Sequence, residues 1–396
     1  MPFAVYLLAL AVFAQGTSEF MLSGLVPGIA RDLHVSVPAA GLLTSAFAVG
    51  MVVGAPLMGV LSLRWPRRRA LLAFLLTFLL AHVAGAVTPG YEVLLVSRVV
   101  AALANAGFLA VAMATAIGLA PPDAKGRATS VLLGGITLAC VAGVPGGALL
   151  GEVWGWRSAF WAVAAALLPA IVAVVRSVPA APADLDGPTA RGESRALRSP
   201  RLLVLLLLGA LVNGATFCTF TYLAPLLTGT TGLGSGWMPA MLALFGLGSF
   251  AGVTISGRLA DVRPVGLLVG GGVALAAGWA AFAMTAGEPA PAIVLVFVQG
   301  TLSFAVGSTL ISQALYAAAD APTLGGGFAT AALNVGATAG PWLGGLAIGA
   351  GLGFRSPLWV SAALVLAALV VAGAAYTIGR APRGVGRAVR DAGRRR

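Results

Sequence analysis

Two charged residues, Glu19 and Arg98, lie inside long apolar runs of this sequence. A charge at the centre of a bilayer is costly unless it is paired or faces water, so such charges mark functional positions. At 1.5 Å per helical residue, Glu19 lies roughly 12 Å from the C-terminal end of the first run, and Arg98 lies roughly 9 Å from the N-terminal end of the fourth run, on the same side of the bilayer. The two residues therefore share a depth and can form a static ion pair or strut. In the other interpretation, Glu19 exchanges a proton, with burial disfavouring its charge and Arg98 or water favouring it.

Amide and aromatic side chains lie near these charges. Gln15 precedes Glu19 by one helical turn, so the two share a face. Asn105 follows Arg98 by two turns, again on one face. The pattern predicts a cavity with polar groups for orientation and aromatic surface for a partly apolar ligand. The predicted lining is Gln15, Asn105, Asn213, Phe217 and Tyr222. Helix packing explains each of these residues equally well.

Two glycine and proline motifs favour close approach between helices. One runs from Gly336 through Gly340, Pro341 and Gly344, and its glycines recur on neighbouring faces while the proline bends the helix. The other has Gly143, Pro145 and Gly147. We expect these residues to govern conformational change, although packing of small residues alone also accounts for them.

The sequence contains no motif for an ATP-driven pump or a metal enzyme. A phosphate-binding loop needs Gly-x-x-x-x-Gly-Lys followed by Ser or Thr, and the only lysine, Lys125, follows Ala124. His34 and His82 are the only histidines and form no cluster at ligand spacing. We therefore expect no enzyme activity, no metal and no cofactor. The remaining source of energy is an ion gradient, and because Glu19 can exchange a proton, we expect a proton gradient.

Composition indicates how these residues are positioned. Of 396 residues, 59% are hydrophobic and 9% are charged, against about 25% charged in an average soluble protein. Runs of about 20 apolar residues cross the hydrocarbon core of a bilayer as helices. The sequence predicts an all-α membrane protein with twelve transmembrane helices at 3–27, 39–62, 70–88, 93–119, 128–150, 158–176, 202–227, 237–259, 265–286, 292–318, 327–350 and 358–378.

Basic residues define the predicted topology. A polar segment at 177–201 divides the chain into an N-terminal half, 1–176, and a C-terminal half, 202–378, with a basic tail at 379–396. Cytoplasmic loops carry an excess of Lys and Arg. With the N-terminus inside, 20 basic residues fall in inner segments, against Arg31, Arg157 and Arg355 outside. Both termini are therefore predicted to be cytoplasmic, in a multi-pass protein of the cytoplasmic (inner) membrane.

Landmarks recur between the two halves. The turn at Leu63 precedes the turn ending at Asp261 by 198 residues, and Gly143 precedes Gly340 by 197. The shared offset predicts duplicated six-helix halves, a transporter architecture in which substrate binds between the halves. Coincidence is the alternative, since the chain has 54 glycines.

The formal charge of +12 does not indicate nucleic-acid binding, because the basic residues lie between apolar runs and in the tail without interleaved aromatic residues. Seven arginines between Arg380 and Arg396 can contact anionic lipid. A solvated tail that only fixes topology is equally consistent with the sequence. We expect a monomer whose partners are a small molecule, protons and the bilayer.

These motifs resemble the major facilitator superfamily, and within it the twelve-span drug/proton antiporters. The stretch from Gly336 to Gly345 is similar to the antiporter motif, which in that family belongs to span 5 but here has its fuller form in span 11. Arg98 matches the arginine that the family links to proton coupling. The resemblance implies two pseudo-symmetric six-helix halves and alternating access.

The loop after the second span resembles the family's gating loop in part. Gly59, Arg64, Arg67 and Arg68 match, but Leu63 replaces the acidic residue. In the second half, Asp261 stands between Arg258 and Arg263 and keeps an ion-pair gate. The resemblance thus implies an asymmetric gate.

Several segments resemble actinobacterial chloramphenicol-resistance exporters more closely. They are Gln15 to Phe20, Pro66 to Leu71, Ala104 to Phe108 and Lys125 to Ser130. The resemblance implies a proton-coupled antiporter that exports a small drug-like molecule, chloramphenicol. The alternatives are a sugar or metabolite exporter or an importer of the same fold, and, as different classes, a channel or a membrane-embedded enzyme.

Overall fold

The computed structural model describes residues 3–62, 65–121, 125–178, 199–260, 262–318 and 324–380, and every regular element in that part of the chain is helical. The helices are α1 (Phe3–Phe20), α2 (Leu22–Asp32), α3 (Val37–Ser62), α4 (Arg67–Val87), α5 (Tyr91–Leu119), α6 (Lys125–Leu138), α7 (Val144–Trp154), α8 (Trp156–Ser177), α9 (Pro200–Thr221), α10 (Leu223–Gly229), α11 (Met238–Leu259), α12 (Pro264–Thr285), α13 (Pro289–Ala317), α14 (Leu324–Ala347) and α15 (Ser356–Arg380). Short turns connect some of them, a π-helical turn at Ala139–Gly143, a 3₁₀ turn at Ser235–Trp237 and a second π-helical turn at Ile348–Leu352.

Twelve helical segments in the described part of the chain are long and apolar enough to cross a membrane, which confirms the predicted count. The chain is therefore a multi-pass membrane protein. Four predicted spans are not continuous α-helices, because breaks occur at Met21, at Ala139–Gly143, at Tyr222 and, at the end of the span 327–350, at Ile348–Leu352. Prolines account for two of these breaks. Pro145 offers no N–H to the carbonyl of Val141, and Pro225 offers none to that of Thr221.

Each half of the chain has its own apolar core. The first core joins α1 to α6 with α8, and it buries Phe78, Phe108 and Phe160 almost completely. The second core joins α9 to α13 with α15 and buries Trp279 and Phe282. The helix α7 also contributes side chains to the second core, so it links the two halves.

Equivalent helix contacts occur in the two halves at a constant offset. A Cβ atom on Gly143 would overlap Thr17 on α1, and one on Gly340 would overlap the carbonyl of Gly214 on α9. Gly143 and Gly340 are 197 residues apart, and so are Thr17 and Gly214. The same offset relates a second pair of contacts, Gly147 with Met21 and Gly344 with Cys218. The internal repeat therefore includes helix partners as well as sequence motifs.

The halves meet mainly at one side of the bundle. There α3 packs along α14, and the hydroxyl of Ser45 donates to the carbonyl of Thr338 at 2.8 Å. On the same side α2 packs against α10, and α7 packs against α11. The connections at 33–36 and 230–234 lie on this side.

Four features of the sequence lie outside the described residues. They are Leu63 and Arg64 of the predicted first gating loop, Asp261 of the second, residues 179–198 of the linker and residues 381–396 of the tail. The asymmetric gate and the lipid contact of the tail stay predictions.

Candidate functional site

Arg98 on α5 binds α1 through Ser18, the residue before Glu19. Its Nη1 donates to the hydroxyl of Ser18 at 2.7 Å, and its Nη2 donates to the carbonyl of Ser18 at 2.8 Å. The ring of Phe47 lies 4.4 Å from the guanidinium carbon, a geometry typical of a cation–π contact. Arg98 is only 1% exposed, and two hydrogen bonds and an aromatic face replace part of its lost hydration. Its buried Nε has no hydrogen-bond partner among the described residues.

Glu19 is not the direct partner of Arg98. Within the described residues, no Arg or Lys nitrogen lies within 4.0 Å of its carboxylate oxygens, and no hydrogen bond reaches them. The two charges nevertheless interact electrostatically, and the thiol of Cys140 in the π-helical turn also lies within the field of Glu19. Glu19 is partly exposed. The predicted shared depth is thus compatible with the structure, but the direct ion pair is absent.

His82 on α4 extends this cluster. Its Nε2 lies 2.6 Å from the hydroxyl of Ser18, and its Nδ1 lies 2.8 Å from the carbonyl of Phe78. The imidazole stacks on Phe78 at a centroid distance of 4.2 Å and is 1% exposed. Neither Ser18 nor His82 was predicted to be functional. The only signal in the sequence was a histidine within an apolar run.

Two predicted cavity residues, Gln15 and Asn105, are buried with weak or absent hydrogen bonding. Both polar atoms of the Gln15 amide are buried, and neither has a hydrogen-bond partner among the described residues. Asn105 donates to the sulfur of Met51 at 3.5 Å, a weak acceptor. A buried polar group without a partner is costly, so these amides are suited to bind a ligand or water.

Asn213 and Tyr222 join α9 to α14. Asn213 donates from Nδ2 to the carbonyl of Leu333 at 2.7 Å, and the hydroxyl of Tyr222 donates to the carbonyl of Pro341 at 2.9 Å. Tyr222 is fully buried. In this conformation their donors hold helices together, and the role of both residues in binding a ligand stays a prediction.

Phe217 lies where the two halves touch. Its ring is 5.7 Å from the ring of Phe20, the residue after Glu19, and it packs with Ala48 on α3 and Ala337 on α14. Further rings continue from it in the second half, with Phe220 6.3 Å away and Phe245 4.7 Å beyond that. Aromatic surface therefore extends from beside Glu19 into the second half.

The predicted conformational glycines lie at close helix crossings. Gly143 contacts α1, Gly147 contacts Met21 directly after α1, and Gly336, Gly340 and Gly344 contact α9. Pro145 lies in the first turn of α7, after the π-helical turn, and Pro341 lies inside α14. Such crossings leave no room for a larger side chain.

Replacing Gly340 by Ala is expected to destabilise the protein by about 1–3 kcal/mol, as overpacking of a well-packed core does. The new Cβ would overlap the carbonyl of Gly214 and approach the nitrogen of Cys218 to 3.0 Å. Thermal unfolding of the detergent-solubilised protein measures the change. The matched control is Gly373→Ala on α15, where nothing lies within 4 Å of an added Cβ. Equal melting temperatures for the two variants would contradict the tight crossing.

Of the predicted gating charges, Arg67 and Arg258 are exposed and Arg68 is partly exposed. Arg67 extends across to Gly118 on α5. Gly59 lies within α3. No ion pair joins these arginines to another described residue, so their gating role stays a prediction.

A cavity of about 880 Å³ opens between the two halves, on the side of the bundle where α2 packs against α10. At its wall Asp32 accepts hydrogen bonds from Arg157 and from Nε1 of Trp156, the latter at 3.1 Å. These hydrogen bonds, that from Arg157 first, hold the pKa of Asp32 below its ordinary value. Across the cavity, Ser235 donates to Glu152 at 2.6 Å and links the halves.

Comparisons with known proteins agree with this architecture. The family model described as the Major Facilitator Superfamily matches residues 8–325. Over 375 residues the chain is 58% identical to a "Chloramphenicol resistance protein" of Streptomyces lividans, covering 94% of this chain and 96% of that protein. It is 31% identical over 348 residues to a "Chloramphenicol efflux pump" of Mycobacterium tuberculosis, covering 86% of this chain and 84% of the pump.

A crystal structure of a bacterial homologue of the human lysosomal transporter Spinster, in an inward-facing and unoccupied conformation, has a similar fold. The TM-score is 0.71 at 20% identity, and the match covers 95% of each chain. At that identity the likeness concerns the fold alone.

Proposed function

Because this chain belongs to the major facilitator superfamily, we propose that it is a proton-coupled antiporter that exports a small drug-like molecule, chloramphenicol, across the cytoplasmic membrane. The feature that supports coupling is a partly exposed carboxylate, Glu19, with no hydrogen-bond partner among the described residues and a buried guanidinium nearby. The likeness to a chloramphenicol resistance protein along nearly the whole chain supports the cargo.

Proton exchange at Glu19 needs a carboxylate that is stable enough in both protonation states. An apolar environment favours the neutral acid, whereas a nearby cation such as Arg98 favours the anion. Without a direct ion pair, Glu19 can bind a proton without first breaking a bond to Arg98. Glu19 then releases its proton to the cytoplasm and regains one from outside, as the two halves open alternately to the two sides of the membrane.

The cargo site that we propose lies between Glu19 and the aromatic cluster. Chloramphenicol is neutral and has an aromatic ring, hydroxyl groups and an amide. The unsatisfied Gln15 amide and the weakly bonded Asn105 offer donors and acceptors, and Phe20 with Phe217 offers aromatic surface. A mostly apolar pocket with a few polar groups is the usual form of such a site.

The side of the bundle where α2 packs against α10 faces outward in this proposal. With both termini cytoplasmic, the contacts of α3 with α14 and of α7 with α11 hold the halves together toward the external side. Export requires the halves at 1–176 and 202–378 to rock about the bound cargo. We further propose that the transporter acts as a monomer, with its basic tail on the cytoplasmic face.

The proposal is tested with inverted membrane vesicles that contain the protein and radiolabelled chloramphenicol. An acidic lumen should drive drug accumulation, and addition of drug should release protons from the lumen. A protonophore should abolish both signals, and vesicles without the protein should show neither.

A panel of sugars in the same vesicles distinguishes the alternative cargo. Uptake of a sugar without uptake of chloramphenicol would favour a sugar or metabolite exporter. Drug movement that follows only its own gradient, whatever the pH gradient, would contradict antiport.

A further inference from the structure

Ser18 and His82 form a buried hydrogen-bonded chain with Arg98 that the proposed transport cycle does not yet use. The chain runs from Nη1 of Arg98 to the hydroxyl of Ser18, then to Nε2 of His82, and from Nδ1 of His82 to the carbonyl of Phe78. Its distances are 2.7, 2.6 and 2.8 Å in that order. The side chains of Ser18, His82 and Arg98 are all at most 1% exposed.

The chemistry of the groups fixes the direction of every bond. The carbonyl of Phe78 can only accept, so Nδ1 of His82 carries the hydrogen, and Nε2 of the neutral ring is then an acceptor. The hydroxyl of Ser18 must donate to Nε2, which leaves its lone pairs for Arg98. A guanidinium only donates, so every partner in the chain has a complementary role.

We propose that Ser18 and His82 are positioning residues for proton exchange at Glu19, holding the Arg98 guanidinium on Ser18 and off the Glu19 carboxylate. This inference rests on the proposed function. Because the hydroxyl of Ser18 donates its hydrogen to His82, its lone pairs stay available to accept a hydrogen bond from Arg98. The carbonyl of Ser18 and the ring of Phe47 complete the binding of the guanidinium.

The consequence for Glu19 follows from the groups around it. Among the described residues, Arg98 on α5 and the thiol of Cys140 in the π-helical turn lie within its electrostatic reach, and His82 interacts with Arg98. If this chain of hydrogen bonds is broken, Arg98 loses an acceptor, and the carboxylate of Glu19 is the strongest acceptor nearby. A direct ion pair favours the charged carboxylate, so Glu19 would bind its proton only at lower pH.

Four variants test this role in the vesicle assay, with the pH of half-maximal drug export as the readout. Ser18→Ala and His82→Leu should move that pH downward by about one unit, a tenfold change in proton affinity. His82→Gln should restore the wild-type profile, because its amide oxygen can accept from Ser18 near the position of Nε2. Ser23→Ala is the matched control, since the sole hydrogen-bond partner of this buried serine among the described residues is the local carbonyl of Phe20, at 2.8 Å.

Each outcome distinguishes the positioning role from a merely structural one. Wild-type pH profiles for both Ser18→Ala and His82→Leu, with export reduced only in proportion to the amount of folded protein, would overturn the inference. A His82→Gln variant that behaves like His82→Leu would also overturn it. Failure of the proposed function shows differently, since Glu19→Gln would then export drug normally whatever these variants do.

Discussion

Glu19→Gln is expected to reduce chloramphenicol export against a gradient to the level of vesicles without the protein. The amide keeps the shape of the side chain but cannot take up or release a proton, so the pH gradient no longer drives the cycle. Exchange of labelled for unlabelled drug needs no net proton movement and should continue. Uphill accumulation and drug exchange, measured on the same vesicles, therefore separate coupling from binding.

Glu92→Gln is the matched control for this variant. Glu92 is an exposed acid in the first turn of α5, so the same chemical change at that position should leave both activities intact. Normal uphill export by Glu19→Gln would contradict the coupling role. If Glu19→Gln lost both drug exchange and uphill export, Glu19 would instead be assigned to cargo binding.

The sequence predicted the spans well because hydrophobic length is a local property. The count of twelve spans is confirmed, and the offset of 197 between Gly143 and Gly340 also relates their helix partners. Close crossings require small residues in both halves, so the motif and its contact partner recur together.

Contacts across helices were harder to predict from the sequence. Position along a helix gives the depth of Glu19 and Arg98, but not how each helix is rotated toward the other. The structure turns Arg98 toward Ser18, one residue away from the predicted partner. The positions of Asn213 and Tyr222 illustrate the same limit, since their donors bind carbonyls of α14.

The structure also joins the glycine crossings to the candidate site. Gly143 packs on Thr17, which precedes Glu19 by two residues on α1. It ends the π-helical turn that carries Cys140, whose carbonyl lies against Gly246 of the second half. In the proposed cycle, movement of α11 against this turn would change the packing beside Glu19, so that α1 would connect the motion of the halves with proton exchange.

Arg98→Lys is expected to lower export by about 10- to 100-fold, because one of two charge-assisted hydrogen bonds, each worth about 1.5–3 kcal/mol, is lost. Lysine keeps the positive charge, but its ammonium is a point donor and cannot reproduce the planar fork. Nη1 and Nη2 of Arg98 bind the hydroxyl and the carbonyl of Ser18 at the same time. Initial rates of drug uptake into inverted vesicles, normalised to folded protein, measure the loss.

Arg98→Gln provides the complementary test, since it keeps donors and removes the charge. If geometry at Ser18 is the main contribution, Arg98→Lys and Arg98→Gln should be impaired to a similar extent. If the positive charge of Arg98 beside Glu19 is the main contribution, Arg98→Gln should be far more impaired than Arg98→Lys. The pH of half-maximal export by Arg98→Gln should also rise, because Glu19 holds its proton more tightly without the nearby cation. Wild-type rates in both variants would show that the buried guanidinium is a strut between α5 and α1 and takes no part in coupling.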